Sequence, residues 1–332
     1  MNDPVLPSGK LPTALLCRLL APFNRDAPEL LLPPSVGEDA GVIDIGGGAL
    51  VVATDPITLT GREIGGHAVL INANDVAVLG VRPRWFLAVF LLPVGTTESE
   101  VSGMFESMRE ALEKLDIVLV GGHTEVTPAV VQPVVTGQML GFQKEGHFLK
   151  TGGVEVGDAI VQIGSAPIEG AAVLAHELAD KLIDIPADTL RMARDAIRDP
   201  GISVVDPALR AATLGATAMH DPTEGGLSAG LHEMAEASQV ALQVDGDAVL
   251  WFAPGIALCE ALHADPWGML ASGTVLTAFP AGVTDSALAA LCADGYEAAI
   301  IARAVPGFGV SLVNGEPLPR YEQDEMSRLL AI

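Results

Sequence analysis

Positive charge is scarce in this chain. Eighteen Lys and Arg stand against 42 Asp and Glu, a formal net charge of −24 at pH 7 over 332 residues. Such a balance repels polyphosphate backbones and anionic membrane surfaces, so neither a nucleic acid nor a membrane is expected as a partner. An acidic small substrate stays open, because carboxylates can hold a divalent cation that in turn holds phosphate. Cysteine is scarce too. Cys17, Cys259 and Cys292 are far apart and form no CxxC pair, which excludes a disulfide framework and a zinc ribbon. The longest clear apolar run, Trp85 to Leu92, falls well short of the ~20 residues a membrane helix needs. Residues Met1 to Lys10 carry no basic-then-apolar leader pattern, so a soluble cytoplasmic protein is expected. The familiar nucleotide signatures are missing: there is no GxxxxGK[ST] and no GxGxxG after a strand.

What is present is a large potential core. Hydrophobic residues make up 49% and charged residues only 18%, which excludes a disordered chain. Thirty-six glycines and 23 prolines fall mostly between apolar runs, as in an α/β (or α+β) protein of many short elements. In the first half, helices are expected over Leu11–Leu20, Gly61–Leu79 and Glu98–Leu115. Strands are expected over Gly41–Ile45, Ala49–Ala53, Trp85–Leu92, Ile117–Val120 and Val130–Phe142. A polar, glycine-containing stretch from Gln143 to Gly157 marks a boundary, giving domains 1–154 and 155–332. The second half reads as strands at Ala159–Ile163, Val240–Val244, Thr274–Phe279, Ala298–Ile301 and Gly309–Val313. Helices are expected over Gly170–Leu182, Pro186–Ile197, Pro207–Leu214, Gly226–Ala237, Gly255–His263 and Thr284–Ala293.

Acids recur where elements meet. Gly37-Glu38-Asp39-Ala40-Gly41 precedes a strand, and Thr54-Asp55-Pro56 stands where one is expected to stop. Asn72-Ala73-Asn74-Asp75 interrupts an apolar segment, and Gly121-Gly122-His123-Thr124-Glu125 ends another expected strand. Asp39 also reads as a turn acid, and Asp55 as a helix cap with Pro56 at the first helical position. His123 alone also reads as an ordinary satisfied histidine, although the two glycines before it suit close approach to a ligand. Asp75 is harder to explain away. On a helix it shares a face with Asn72 inside an apolar sequence, and acids are rarely buried without a partner or a metal. The second half adds His220-Asp221-Pro222-Thr223-Glu224-Gly225-Gly226-Leu227, a helix start whose free N–H groups suit an anion or whose Asp221 is simply a cap. Ligands of open α/β sheets gather outside strand ends. Several such carboxylates with few bases suit Mg²⁺ carrying a triphosphate, hence phosphoryl transfer or metal-assisted hydrolysis.

These five clusters, in this order, resemble the AIR synthase (PurM-like) superfamily, and most closely its HypE-related, AIR synthase-related members. The likeness runs from Gly9-Lys10-Leu11 to about Ala278. It implies a two-domain fold. The N-terminal domain forms a β-barrel shared across a homodimer, the second domain is α/β, and ATP and Mg²⁺ are the cofactors. By motif, Asp39, Asp55, Asp75 and Asp221 look like the metal–phosphate carboxylates. Thr54, Asn74, Gly121, Gly122, His123, Thr124 and Asp221 look like neighbours of the nucleotide, and Lys10 lies in a segment that acts as a lid in some members. His123 stands where kinase-like and HypE-like members usually carry Asp. It resembles selenide water dikinase there and is the candidate for proton handling. The terminal cysteine that HypE uses as carbamoyl carrier has no counterpart in Arg328-Leu329-Leu330-Ala331-Ile332. The resemblance therefore implies an ATP- and Mg²⁺-dependent enzyme that activates an oxygen of a small substrate. The alternatives are a thiamine-monophosphate-kinase-like phosphotransferase, a metal-dependent phosphatase, and a non-enzymatic ATP-binding factor that works with a maturation partner.

Overall fold

The computed structural model describes residues 13–23, 27–35, 37–58, 63–321 and 325–330. The chain divides into two compact units. The smaller holds residues 27–33 and 39–148, and the larger is built chiefly from residue 149 onward. A short helix, α1 (Thr13–Leu20), comes first and buries none of its residues.

The smaller unit runs β1 (Leu30–Leu32), β2 (Gly41–Asp44), β3 (Ala49–Ile57), α2 (Ile64–Ala77), β4 (Pro83–Leu92), α3 (Glu98–Leu115), β5 (Val118–Val126) and β6 (Val134–Gln143). Its single sheet has the order β1-β2-β3-β6-β4-β5, with β4 and β5 parallel and the other neighbours antiparallel. Thr97-x-x-Glu100 starts α3 as a reciprocal cap. The Thr97 N–H donates to Glu100 Oε2 at 2.7 Å, and the Glu100 N–H donates to Thr97 Oγ1 at 3.3 Å. Met104, Met108, Ala111, Leu112 and Leu115 then make its buried stripe. Every residue of α2 except Leu70 is buried, so this helix fills the space beside the sheet and α3. Its glycines permit that packing: a Cβ on Gly65 would lie 2.1 Å from Met104 O, and the Gly66 N–H donates to Ser107 Oγ at 3.1 Å.

Three boundaries in this unit differ from the expectation. β3 continues through Thr54, Asp55 and Pro56 to Ile57, so Asp55 caps no helix. Pro56 is tolerated there in register with Thr136, at the exposed end of the strand. β5 continues to Val126, so Gly121 to Glu125 lie within a strand, held by the parallel ladder to β4. β1 was not legible, because three leucines between turn residues carry no alternation.

The larger unit runs β7 (Ala159–Ile163), α4 (Ile168–Glu177), α5 (Ala187–Asp195), α6 (Val205–Thr213), β8 (Ala218–His220), α7 (Gly226–Ser238), β9 (Ala241–Val244), α8 (Ala253–Leu262), β10 (Val275–Phe279), α9 (Ala281–Ala293), β11 (Ala298–Val305), β12 (Gly309–Leu312) and α10 (Glu325–Leu330). Its sheet has the order β12-β9-β11-β7-β10-β8, antiparallel except for the β12–β9 pair. Every residue of β7, β8 and β10 is buried. One core includes Leu227, Leu231 and Met234 of α7; the other includes Leu174 of α4, Leu258 of α8 and Met326 of α10. The molecule is thus a mixed α/β protein of two units, and among the described residues each holds one six-stranded sheet. No described helix is long and apolar enough to cross a membrane.

Candidate functional site

In the smaller unit a buried amide positions an acid. Asn72 on α2 is wholly buried. Its Oδ1 accepts the Asp55 N–H at 2.8 Å, and its Nδ2 donates to Asp55 O at 3.2 Å and to Ala68 O at 2.9 Å. Asp55 sits in register with Gly137 of β6, whose carbonyl accepts from Thr54 Oγ1 at 2.8 Å. A Cβ on Gly137 would fall 2.4 Å from Asn72 Nδ2, so only glycine leaves room for the clamp. The clamp fixes the Asp55 backbone, while Asp55 as a residue is exposed. One turn beyond Asn72, Asp75 is 5% exposed, and its neighbour Asn74 is wholly buried. The expected shared face of Asn72 and Asp75 is therefore realised on a helix. Asp39 is half-buried ahead of β2.

The glycine–histidine cluster lies elsewhere on the same sheet. β5 is the edge strand, with β6 and β4 between it and β3, and three strand spacings separate them by ~14 Å. All nine residues of β5 are exposed, and His123 Nε2 lies 3.4 Å from Glu125 Oε2. Gly122 adopts φ +155°, and a Cβ there would fall 2.1 Å from Ala88 O. Its need for glycine thus comes from close approach of β4, where the sequence pointed to a ligand. Lys10 lies outside the described residues. Among the described residues no three His, Cys, Asp or Glu side chains converge as a metal site. Mg²⁺ characteristically takes one or two carboxylates and completes its shell with water and substrate phosphate. Asp55 and Asp75 are hard-oxygen donors of the type that mode uses.

In the larger unit three strand ends meet. β10 is antiparallel to both β7 and β8, pairing Val275 with Ile163 and Leu276 with His220. The chain leaving β7, the chain leaving β8 and the chain entering β10 therefore share one end of the sheet. They are knit together there. The Gly170 N–H donates to Leu270 O at 3.1 Å, and the Ala271 N–H donates to Thr223 O at 3.2 Å. Gly226 has φ +65°, and a Cβ on it would lie 2.5 Å from Trp267 O. Asp221 is 2% exposed at this end. His220 Nε2 meets Glu233 Oε2 of α7 at 2.8 Å. As expected, α7 begins at Gly226, and no side chain caps it.

A strap of the chain then ties α7 down along one face. Ser228 Oγ donates to Pro319 O, His232 Nε2 bonds Leu318 O at 3.1 Å, and Arg320 pairs with Glu236. Tyr321 OH donates to Asp265 Oδ2 at 2.7 Å, and burial with this carboxylate pushes the phenol up. Beyond it, Met326 of α10 is buried in the core beside α4 and α8.

Comparison with known proteins accords with this architecture. The pattern of the AIR synthase related protein N-terminal domain matches residues 37–143, and that of the C-terminal domain matches residues 155–314. The chain belongs to the AIR synthase related family. Within it the sequence is HypE-like. A carbamoyl dehydratase HypE from Rhodobacter capsulatus is 29% identical over 316 residues, 87% of this chain and 90% of that protein. A putative hydrogenase expression/formation protein, MJ0676, from Methanocaldococcus jannaschii is 26% identical over 249 residues, 73% of this chain and 71% of its own. Among solved structures, HypE in its complex with HypF has a TM-score of 0.77 at 20% identity, covering 93% of this chain and 100% of that one. HypE in complex with ATP has a TM-score of 0.73 at 24% identity, covering 97% and 98%. At these identities the structural likeness speaks to the fold.

Proposed function

We propose that this AIR synthase related protein binds Mg-ATP and uses the γ-phosphate to activate an oxygen of a small substrate. The observation that carries the reading is the Asn72 clamp, which fixes Asp55 on β3 to a helix residue one turn before the buried Asp75. A ring of amide hydrogen bonds around one aspartate backbone is more than a surface acid needs. It supports a carboxylate whose place matters. The relatives carry the name carbamoyl dehydratase, and a relative of the same fold holds ATP.

In this reading Asp39, Asp55, Asp75 and Asp221 would supply oxygens to a magnesium ion bound with the nucleotide. Thr54, Asn74, Gly121, Gly122, His123 and Thr124 would line the nucleotide. Bound magnesium neutralises charge on the transferring phosphoryl group, and in-line transfer asks the protein mainly for positioning. The chain's part is to hold the carboxylates at fixed backbone positions, as Asn72 does for Asp55. Residues 1–154 form the nucleotide-binding and dimerisation domain, and 155–332 the C-terminal domain. The exposed edge strand β5, with Val118, Leu119, Val120 and Val126 on it, supports a homodimer through a shared sheet or barrel. A second copy there brings His123 and Thr124 within its reach. The HypE–HypF complex supports a maturation-pathway protein as partner.

Titration calorimetry with Mg-ATP tests the core of the proposal. Binding by the intact chain that is lost in Asp55→Asn is expected. Absence of Mg-ATP binding by the unaltered chain overturns it.

A further inference from the structure

The larger unit holds a cleft of about 740 Å³. That volume lies within the ~300–1,000 Å³ range of small-molecule sites. Its lining comes from this one unit: the turn between β11 and β12, the strap beyond β12, the start of β9 and His232 of α7. Phe308 stands on the turn and is 86% exposed. The backbone fixes it there. Pro306 opens the turn, and the glycines on either side adopt φ +130° at Gly307 and +85° at Gly309, a conformation that other residues rarely take. Pro317 and Pro319 of the strap add flat apolar rings to the lining. Among the described residues, Arg320 is the one side chain of the lining with a fixed charge, and it is paired with Glu236.

His232 supplies the specific group. It is 6% exposed, and its Nε2 lies 3.1 Å from Leu318 O. A carbonyl only accepts, so Nε2 carries the ring proton and Nδ1 presents a lone pair. Among the described residues that buried Nδ1 has no hydrogen-bond partner. An unpaired buried acceptor is costly, so it marks a place that a donor would fill. Burial and the Arg320 charge keep the ring neutral against the pull of the Leu318 carbonyl, Glu236 and Glu233. The lone pair is therefore present at neutral pH.

We infer that this cleft binds an uncharged aromatic molecule bearing a ring N–H or O–H, of the indole or phenol class. Its ring lies against Phe308 and the strap prolines, and its donor bonds His232 Nδ1. Each part of that class answers a group in the lining. The aromatic body answers Phe308, since aromatic rings attract one another in offset or edge contact. The donor answers the lone pair that the fold leaves unpaired. Neutrality follows from Arg320. A carboxylate or phosphate would have to displace Glu236 from it, and an ammonium group would meet its positive charge. No described residue of the smaller unit lines the cleft, so its occupancy is measured without Mg-ATP.

The test uses the full chain without nucleotide. Indole is the probe, and benzofuran, which has the same shape and no N–H, is its control. Indole is expected to bind saturably with a Kd of about 1 mM or tighter. Benzofuran should bind about tenfold more weakly, the contribution of one hydrogen bond. Nitrogen NMR of the histidine rings reads that bond directly, and the His232 Nδ1 resonance should move upfield as indole saturates the chain. Phe308→Ala removes an exposed side chain and should weaken indole about fivefold with the fold unchanged. Protonation turns Nδ1 from acceptor to donor, so indole affinity should fall toward pH 5 while benzofuran affinity holds. Absence of saturable indole binding, equal affinity for indole and benzofuran, or unchanged affinity in Phe308→Ala would overturn the inference. So would an Nδ1 resonance that indole leaves unmoved, the mark of a site filled by water alone. The NMR readout uses the unaltered chain and decides the matter even if Phe308→Ala folds poorly. Failure to bind Mg-ATP bears on the proposed function alone.

Discussion

Asn72 holds Asp55 by its main chain at both ends of the residue, accepting from its N–H at 2.8 Å and donating to its carbonyl at 3.2 Å. A side chain on a helix thus takes the place of a missing main-chain partner beside a strand. Asn72→Ala should remove both bonds and leave buried groups unsatisfied, at a cost of about 2–4 kcal/mol. Gly137→Ala should push into Asn72 and destabilise as well. Because both changes break one contact, the double variant should cost less than their sum by about 1 kcal/mol or more. Urea denaturation of the four chains measures this, and additive costs would contradict the shared clamp.

Asp55→Asn and Asp75→Asn separate metal-phosphate binding from folding. Asp55 is exposed, so its neutral variant should unfold at the same urea concentration as the unaltered chain, within about 0.5 kcal/mol. Both variants should lose magnesium-dependent ATP binding, and Asp75→Asn should abolish ATP turnover. Calorimetry with and without magnesium checks the first point. An undiminished ADP release rate in Asp75→Asn would count against the site.

His232 gives the strap a pH dependence. Burial holds its pKa below the ordinary value of 6.5, with the Arg320 charge acting in the same sense and Leu318, Glu236 and Glu233 opposing. The folded state therefore binds fewer protons than the unfolded chain below pH 6.5. Stability is fully present above that value and falls as the pH drops toward the folded-state pKa. His232→Asn should be less stable at pH 7.5 yet show a shallower loss between pH 7.5 and 5. Chemical denaturation at the two pH values measures the difference, and parallel losses in both chains would refute the assignment.

The edge strand β5 carries the proposed homodimer. Leu119, 44% exposed, and Val120, 53% exposed, are residues a monomer has little reason to display together. Leu119→Glu with Val120→Lys should yield a monomer with unchanged secondary structure. Sedimentation at several concentrations reads this directly. A monomeric unaltered chain would rule out the shared sheet.

Much of the fold follows from local pattern. The 18 residues of α3 are marked by Thr97-x-x-Glu100 and an apolar stripe at helical spacing, and β4 is an apolar run that a proline opens. Asp75 was legible as a buried acid because the residues around it left no polar face. The ends of β3 and β5 were not legible. Gly121-Gly122 reads as a break, yet it is the ladder to β4 that requires glycine at 122.

The amino-acid sequence by itself determined the charge balance, the helical face shared by Asn72 and Asp75, the glycine start of α7 and the family. Those properties are written in residue type and short-range spacing, which need no partner from elsewhere in the chain. Tertiary structure alone decided that Asn72 clamps Asp55, that the GGHT cluster lies on an open sheet edge, and that Thr223 meets Ala271. Each of these joins segments far apart in the chain, and strand order and register, which depend on non-local pairing, set which segments meet.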